Sequence, residues 1–356
     1  MPPRWRRYQV KNASLFIAVA LLPITQAAFA EQPSSANLAP ATASPLPVLS
    51  AAAKQETAEN IAAAAERLYV DPTSGNELAR HIRQQLRSGA YDRYADSKSF
   101  AAALTSDLRS VVSDLHLRVA YEPNRDVSTG PTQGRAQVAG GRMMARIDPR
   151  SAREIARTNF GFDRVERLEG NVGYLKLSKL VPPDLSRATA EAAIAFLANS
   201  DAVIIDVRGV PGGSPELIRL LLSNFVREPT RLLTTFDRAS GTTEEIWTLQ
   251  GPPGRLAGVP LYILQDRATA SAAEMLAYIV QRRNLGTVVG ETSRGAGNGG
   301  NMIDVGSHFS FFLPQRRVTD GPGWEGAGVR PDVPGPAEDA LNVAHSLASR
   351  RPATPG

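Results

Sequence analysis

The sequence predicts an α/β fold preceded by a small N-terminal helical domain. Two patterns in the spacing of apolar residues support this prediction. Between residues 52 and 113, apolar residues recur at helical spacing, in patterns at 53–69, 75–88 and 98–113. After Gly170, short aliphatic runs alternate with longer helical patterns, an arrangement typical of β-α-β units.

The elements of the predicted α/β core follow in order along the chain. Short runs rich in β-branched or aliphatic residues predict strands at 172–178, 202–208, 260–266, 286–290 and 308–314. Helical spacing predicts helices at 184–199, 214–226, 271–283 and 336–348. Residues 123–145 have no firm period and predict a loop or an irregular hairpin. We therefore expect a helical domain at 52–113, an α/β core at 114–348 and a disordered tail at 349–356.

The first thirty residues predict a secretory signal peptide. A basic segment precedes an apolar run at 15–24, and Ala28-Phe29-Ala30 is a small-residue cleavage pattern before Glu31. The apolar run is about half of the ~20 residues that a membrane-spanning helix needs. We expect an exported protein, periplasmic or secreted, without a stable membrane span. The Ala-, Pro- and Ser-rich residues at 31–51 predict a flexible linker.

The composition excludes several classes of function. The chain has 356 residues and a formal net charge of +5. Four of its positive charges lie in the predicted signal peptide, on Arg4, Arg6, Arg7 and Lys11, so the mature chain carries about +1 and gives no indication of a nucleic-acid partner. The absence of cysteine excludes disulfides, thiolate nucleophiles and cysteine-ligated zinc.

The segment RATASAAEML at 267–276 contains the first candidate catalytic residue. Ser271 lies where a predicted strand ends and a predicted helix begins, and the free N–H groups of a helix N-terminus favour an oxyanion. The same residues, Ser271-Ala-Ala-Glu274, match a capping box, in which serine and glutamate bond the first-turn N–H groups. The segment alone favours the cap and leaves the nucleophile open.

Three further segments carry residues with suitable chemistry. Gly212 and Gly213 follow a predicted strand, where they form either an ordinary turn or a cradle of N–H groups for an anion. His116 is one of four histidines, and its side chain is either structural or a general base. Glu325 lies among glycines beside Trp324, either as a solvated loop residue or as a carboxylate aimed at an imidazole.

Together these segments resemble a known family. The motifs, in chain order, are D-x-H, NVGYLKL, AVIIDVRGVPGG, TASAAE, VVGETSRGAG and GWEGAGVRPDV. Their order resembles that of the tail-specific, C-terminal processing serine peptidases, most closely the branch that includes the interphotoreceptor retinoid-binding protein modules. The resemblance runs from Asp114 to Leu347.

The resemblance implies a fold, a substrate class and a set of roles. The fold is a ClpP/crotonase-like α/β core with a small N-terminal helical domain, acting on peptide or protein substrates without a metal or an organic cofactor. Ser271 matches the nucleophile, His116 the base and Glu325 the carboxylate that orients the base. The oxyanion hole would comprise the N–H of Ala272 and an N–H from the turn at Gly212 and Gly213. A charged Glu325 would move the pKa of His116 upward.

The sequence departs from the related peptidases at two informative positions. Ala296 stands where the bacterial processing peptidases have a catalytic lysine, and no lysine follows Ser271, so a serine–lysine dyad of that arrangement is excluded. Leu115 stands where the tricorn branch has a serine. Two other functions stay open: a non-catalytic binding module for an apolar ligand, as in the retinoid-binding relatives, and a hydrolase of other esters or amides. The sequence does not indicate an oligomeric state.

Overall fold

The computed structural model describes residues 49–123, 149–249 and 254–350. The predicted signal peptide at 1–30, most of the predicted linker at 31–51, nearly all of the loop at 123–145 and the end of the tail at 349–356 lie outside the described residues.

The described chain contains eight helices and eleven strands. The helices are α1 Ala51–Leu68, α2 Pro72–Arg87, α3 Ser97–Val111, α4 Pro149–Arg157, α5 Pro183–Leu197, α6 Pro215–Leu222, α7 Ala272–Arg282 and α8 Ala340–Ser349. The strands are β1 Arg118–Tyr121, β2 Phe162–Leu168, β3 Val172–Leu177, β4 Ala202–Asp206, β5 Arg231–Asp237, β6 Thr242–Trp247, β7 Leu261–Gln265, β8 Gly286–Gly290, β9 Gly299–Asp304, β10 Phe309–Val318 and β11 Val333–Pro334. A short 3₁₀ turn at Asn159–Gly161 precedes β2.

The three N-terminal helices begin at side-chain caps. Ser50, Asp71 and Asp96 each accept a hydrogen bond from an N–H in the first turn of α1, α2 and α3 respectively. Such caps satisfy N–H groups that have no partner within the helix. The three helices predicted from apolar spacing are therefore present, with ends that their capping residues define.

A six-stranded sheet forms the centre of the α/β region, in the order β11-β8-β7-β4-β3-β2. All neighbouring strands are parallel except β2, which pairs antiparallel with β3. Every residue of β4 and β7 is buried, as expected for strands covered on both faces. Val203 and Ile205 face the cluster formed with α5, α6 and α7, while Ala202 and Ile204 face α8.

A second, antiparallel sheet joins the N-terminal helices to the remainder of the chain. Its order is β1-β10-β5-β6, and β9 also pairs with β10. Phe309 of β10 meets the ring of Phe100 edge-on at 5.5 Å, and Phe100 meets Tyr91 in the same way. Phe311 and Leu313 of β10 belong to the same buried cluster as residues of α1, α2 and α3. The helices therefore pack on the sheet through one shared apolar core.

The sequence missed six strands, namely β1, β2, β5, β6, β9 and β11. Apolar alternation is weak in these strands because they are short or solvated. Strand β6 has five exposed residues of six, so its hydrogen bonds to β5 hold it in place with little apolar burial. In contrast, the strand predicted at 308–314 continues to Val318, where it pairs with β5.

Two predicted helices are shorter than the sequence suggested. Helix α6 ends at Leu222, because the side chains of Ser223 and Asn224 bond carbonyls of its last turn. Helix α8 begins at Ala340, after a turn in which the N–H of Asp339 bonds the carbonyl of Pro336. The α/β fold with an N-terminal helical region is confirmed. Across the described residues, no helix has the length and apolar character to cross a membrane.

We predict that Phe309→Ala lowers the free energy of unfolding by about 3–5 kcal/mol, since a fully buried ring would leave a cavity between the helices and β10. Denaturant unfolding measures the effect. Phe196→Ala is the matched control, because this ring is 61% exposed and should change stability by less than about 0.5 kcal/mol. Equal losses in the two variants would contradict the packing described above.

Candidate active site

Ser271 precedes helix α7 in an unusual backbone conformation. Its φ is 55° and its ψ is −123°, a region that residues other than glycine rarely adopt. The loop between β7 and α7 holds it there. The Asp266 carboxylate accepts the N–H groups of Gly209, Ala268 and Thr269 at 2.9–3.0 Å. The N–H of Ala270, directly before Ser271, bonds the carbonyl of Val210 at 2.9 Å.

His116 lies in the segment between α3 and β1. Arg109 of α3 donates to the carbonyls of Leu115 and Leu117, so the helix fixes the backbone on both sides of the histidine. Leu117 is fully buried in the core of the N-terminal helices. The imidazole stacks on the ring of Phe312 at 5.4 Å, and 17% of the His116 side chain is exposed.

The structure brings Ser271 and His116 together. The Oγ of Ser271 lies 3.0 Å from Nε2 of His116, although 155 positions separate the two residues in the chain. The distance is that of a hydrogen bond, and it leaves Nδ1 of His116 pointing away from the serine. Nδ1 is buried and has no hydrogen-bond partner among the described residues.

Glu274 fixes the backbone of Ser271. Its carboxylate is fully buried and accepts the N–H of Ser271 at 2.7 Å, which is the glutamate half of the predicted capping box. The same carboxylate accepts the Ser293 hydroxyl at 2.6 Å and the N–H groups of Gly295 and Ala296 at 2.6 and 2.9 Å. Four donors satisfy this buried carboxylate, so the capping interaction coexists with the contact of the Ser271 hydroxyl with His116.

Of the two glycines in the turn after β4, Gly212 lies against Ser271 and Gly213 lies against Leu180. At Gly212, with φ of 120°, a Cβ would lie 2.8 Å from the Cβ of Ser271. At Gly213, with φ of 139°, a Cβ would lie 2.3 Å from the carbonyl oxygen of Leu180. Neither position therefore accepts a side chain. The N–H groups of Gly212, Gly213 and Ala272 donate no hydrogen bond within the part of the chain that the structure describes.

Glu325 approaches His116 from a glycine-rich loop. Its Oε2 accepts the N–H groups of Gly297 and Asn298 at 2.6 and 2.7 Å. Its Oε1 is buried and finds no hydrogen-bond donor in the described chain. Trp324 anchors the loop, since its indole N–H bonds the carbonyl of Ala296 at 3.2 Å.

Asp114 supplies a second carboxylate at the same place. It is 1% exposed, and its Oδ1 accepts the N–H of His116 at 2.9 Å. Its Oδ2 accepts the hydroxyl of Tyr69 at 3.0 Å and the side-chain amide of Asn298 at 3.1 Å. Suitable atoms of Asp114, His116 and Glu325 all lie within 4.8 Å of one another.

Burial and charge set the pKa values of the site. Burial lowers the pKa of His116 below its ordinary value, and the charges of Asp114 and Glu274 offset only part of this effect. The sequence led us to expect the opposite direction. Burial, reinforced by the charge of Asp114, raises the pKa of Glu325 to about 7. Burial also raises the pKa of Tyr69, so its hydroxyl stays a donor to Asp114.

Two models from one protein family match the parts of the chain that contain the site residues. A model of peptidase family S41 matches residues 171–334. A model of the N-terminal domain of this family in eukaryotic IRBP matches residues 36–164. The chain belongs to peptidase family S41. This confirms the resemblance drawn from the six motifs to a family of serine-type peptidases.

The relatives of this S41 chain are distant. The carboxy-terminal processing protease CtpB of Bacillus subtilis (strain 168) is 25% identical over 178 residues, which cover 48% of this chain and 36% of CtpB. The match thus spans about a third of that relative. A lipoprotein from Streptococcus agalactiae superposes with a TM-score of 0.56 at 14% identity, covering 84% of this chain and 97% of that chain. The photosystem II D1 C-terminal processing protease gives 0.51 at 16% identity, covering 83% and 98%. At these identities the two structures establish the shared fold.

Ala296 is the residue that the sequence resemblance aligns with the lysine of the bacterial processing peptidases. It is 4% exposed, its N–H bonds Glu274 and its carbonyl accepts the Trp324 indole, so the backbone here is fully engaged. None of the five lysines of the chain follows Ser271. His116 is therefore the basic side chain in contact with the serine of this S41 chain.

Asp114, His116 and Glu325 also carry the kinds of atom that bind divalent cations. However, Nδ1 of His116 lies 3.9 Å from Oδ1 of Asp114. Ligands around tetrahedral zinc lie only about 3.3 Å apart, given bonds of about 2.0 Å. The hydrogen bonds to Tyr69, Asn298 and Gly297 already engage the two carboxylates. We assign no metal role to these residues.

The sequence named some residues of this S41 site and missed others. The predicted residues lie in one region of the structure, and they are Ser271, His116, Glu325, Ala272, Gly212 and Gly213. Asp114, Tyr69, Asn298 and the role of Glu274 in binding the 293–296 backbone were not predicted. The D-x-H motif contained a signal for Asp114, because an aspartate two residues before a histidine can accept its N–H. Tyr69 and Asn298 gave no local signal.

We predict that Glu274→Gln lowers the free energy of unfolding by about 2 kcal/mol or more, because an amide nitrogen would face N–H groups that now bond a carboxylate oxygen. Denaturant unfolding measures this loss. Glu291→Gln serves as the control, because Glu291 pairs with Arg267, whose side chain is 84% exposed. This variant should change the free energy of unfolding by less than about 0.5 kcal/mol. A Glu274 variant as stable as this control would refute the structural role.

Proposed function

We propose that this chain is an exported serine peptidase in which Ser271 is the nucleophile, His116 the general base and Glu325 a carboxylate behind the base. The single observation that carries the proposal is the 3.0 Å contact between Oγ of Ser271 and Nε2 of His116. A nucleophile and a base at hydrogen-bond distance are the geometric requirement for activating a serine. Membership of peptidase family S41 supports a peptide or protein substrate.

The reaction proceeds by acyl transfer. Ser271 Oγ attacks the carbonyl carbon of the scissile peptide while Nε2 of His116 takes its proton. The resulting tetrahedral intermediate collapses as the C–N bond breaks, and the imidazolium gives that proton to the leaving amine. Water then attacks the acyl-enzyme, again with His116 as the base, and releases the second product and free Ser271.

The oxyanion of the intermediate requires donors that are free before substrate binds. The N–H of Ala272 stands in the first turn of α7, at the positive end of the helix dipole. We assign the second donor to the turn at Gly212 and Gly213, whose N–H groups have no other acceptor among the described residues. The close contact of Gly212 with Ser271 supports this assignment.

The competing function is a non-catalytic module that binds an apolar ligand. A carrier has no requirement for a serine hydroxyl held against an imidazole by a backbone with φ of 55°. Residues other than glycine adopt this backbone conformation only where the surrounding structure enforces it, and such positions concentrate at reactive sites. The enzyme is therefore the better-supported function.

We predict that a fluorophosphonate probe labels Ser271 in the wild type, as mapped by peptide mass spectrometry, and that Ser271→Ala abolishes labelling and hydrolysis. His116→Ala should lower kcat/KM by about 10³-fold or more, since the base is lost. In the wild type, kcat/KM should rise with pH through a midpoint below 6.5, because burial lowers the pKa of the base and only the neutral imidazole accepts the proton.

His345→Ala is the control for the histidine variant, since this ring bonds the carbonyl of Glu169 on the surface and should leave kcat/KM unchanged. A folded wild type that the probe does not label would favour the apolar-ligand module. Full activity in His116→Ala would refute the proposed base.

We predict that the mature protein begins at Glu31, because the basic segment, the apolar run and Ala28-Phe29-Ala30 follow one another as signal peptidase requires. N-terminal sequencing of protein recovered from the periplasm and the medium measures this. Ala28→Asp, which removes the small residue before the cleavage site, should leave the precursor uncleaved. Exported protein that still begins at Met1 would contradict the prediction.

A further inference from the structure

The imidazole of His116 needs a negative charge on its far side. When Nε2 takes the proton of Ser271, the ring becomes cationic, and Nδ1–H faces the buried interior rather than water. An unpaired cation there would oppose the reaction. Two carboxylates, Asp114 and Glu325, lie within reach of the ring. The question is which of them carries the charge.

Glu325 is poorly arranged to stay ionised. Both of its hydrogen bonds, from Gly297 and Asn298, fall on Oε2, and Oε1 is buried with no donor in the described residues. Burial and the charge of Asp114 raise the pKa of Glu325 to about 7. Below that pH the group is mostly a neutral carboxylic acid, which can donate a hydrogen bond but cannot balance an imidazolium.

Asp114 has more hydrogen-bond donors than Glu325, and they reach both of its oxygens. Three donors reach it: the N–H of His116 at 2.9 Å, the hydroxyl of Tyr69 at 3.0 Å and the amide of Asn298 at 3.1 Å. Hydrogen bonds from neutral donors favour the charged form of a buried carboxylate. Its Oδ1 lies 3.9 Å from Nδ1 of His116, close enough for a strong electrostatic interaction in a buried site.

We propose that Asp114 is a positioning residue of this site: its carboxylate holds the backbone of His116 and supplies the negative charge that stabilises the imidazolium. The proposal rests on the proposed function, because it assumes that His116 takes the Ser271 proton. Glu325 then braces the loop at 297–298 and, as the neutral acid, keeps a second charge away from Asp114. The other charged groups that face His116 are Glu274 of α7 and Arg109 of α3, and both are engaged in hydrogen bonds of their own.

The experiment compares Asp114→Asn with Glu325→Gln. The pKa of His116 is followed by NMR in protein with ¹⁵N-labelled histidine, with the signal assigned from a His116→Gln spectrum, and kcat/KM is measured from pH 5 to 9. Asp114→Asn should lower the pKa of His116 by about one unit or more and kcat by about 10³-fold at every pH. Glu325→Gln should leave the pKa of His116 close to its wild-type value, since glutamine resembles the neutral acid that Glu325 forms below pH 7, so the titration separates the two variants.

A matched pair of tyrosine variants guards against a simple loss of folding. Tyr69 and Tyr91 are each 2% exposed, and each donates to an aspartate, Asp114 at 3.0 Å and Asp107 at 2.8 Å. Tyr69→Phe should move the pKa of His116 upward, because Asp114 loses a donor and its charge interacts more strongly with the ring. Tyr91→Phe removes the same kind of bond from Asp107, which is not among the charges that act on the ring, and should leave the pKa of His116 unchanged.

Opposite results would overturn the proposal. If Glu325→Gln lowers the pKa of His116 while Asp114→Asn and Tyr69→Phe leave it unchanged, Glu325 carries the charge. An Asp114→Asn protein with wild-type kcat and an unshifted His116 would refute the positioning role outright. The NMR titration needs no turnover, so it decides the identity of the charged carboxylate even if the fluorophosphonate probe fails to label Ser271 and the proposed function falls.

Discussion

The site depends on four consecutive N–H groups held by two carboxylates. Glu274 accepts the N–H groups of Gly295 and Ala296, and Glu325 accepts those of Gly297 and Asn298, all at 2.6–2.9 Å. Buried N–H groups must find acceptors, so this segment has one conformation and fixes both carboxylates in turn. Through Glu274 it holds the N–H of Ser271, and through the Asn298 side chain it holds Asp114 beside His116.

This arrangement is compatible with a proposed base that is not a lysine. The backbone at Ala296 is bonded on both sides, and the proposed base, His116, lies on the segment between α3 and β1. That segment is positioned by Arg109 and by Thr105, whose hydroxyl accepts the N–H of Val119 at 2.9 Å. The N-terminal helices thus hold the histidine in contact with the serine, and their packing against β10 becomes part of the geometry of the proposed site.

The electrostatics of the site follow from the distribution of donors rather than from the number of acids. Glu274 has four donors and Asp114 has three, whereas Glu325 has two, both on one oxygen. Three charged carboxylates in one region would repel each other, and the one with the fewest hydrogen-bond donors, Glu325, keeps its proton most readily. Burial of the imidazole acts in the opposite direction on His116 and makes it a weaker base than a free histidine.

The sequence by itself determined the α/β class, the three N-terminal helices and the residue types of the proposed site. Apolar spacing and capping residues act over a few positions, and the glycine, serine and glutamate motifs follow a fixed order along the chain. These patterns can therefore be recognised from the sequence alone. Strands such as β6, which depend on hydrogen bonds to a neighbour rather than on apolar alternation, were found only in the structure. Tertiary structure also decided the contact of Ser271 with His116 across 155 positions, the placement of Tyr69 and Asn298 on Asp114, and the downward direction of the His116 pKa. The physical reason is that hydrogen-bond partners and desolvation belong to neighbours in space, which local sequence patterns do not specify.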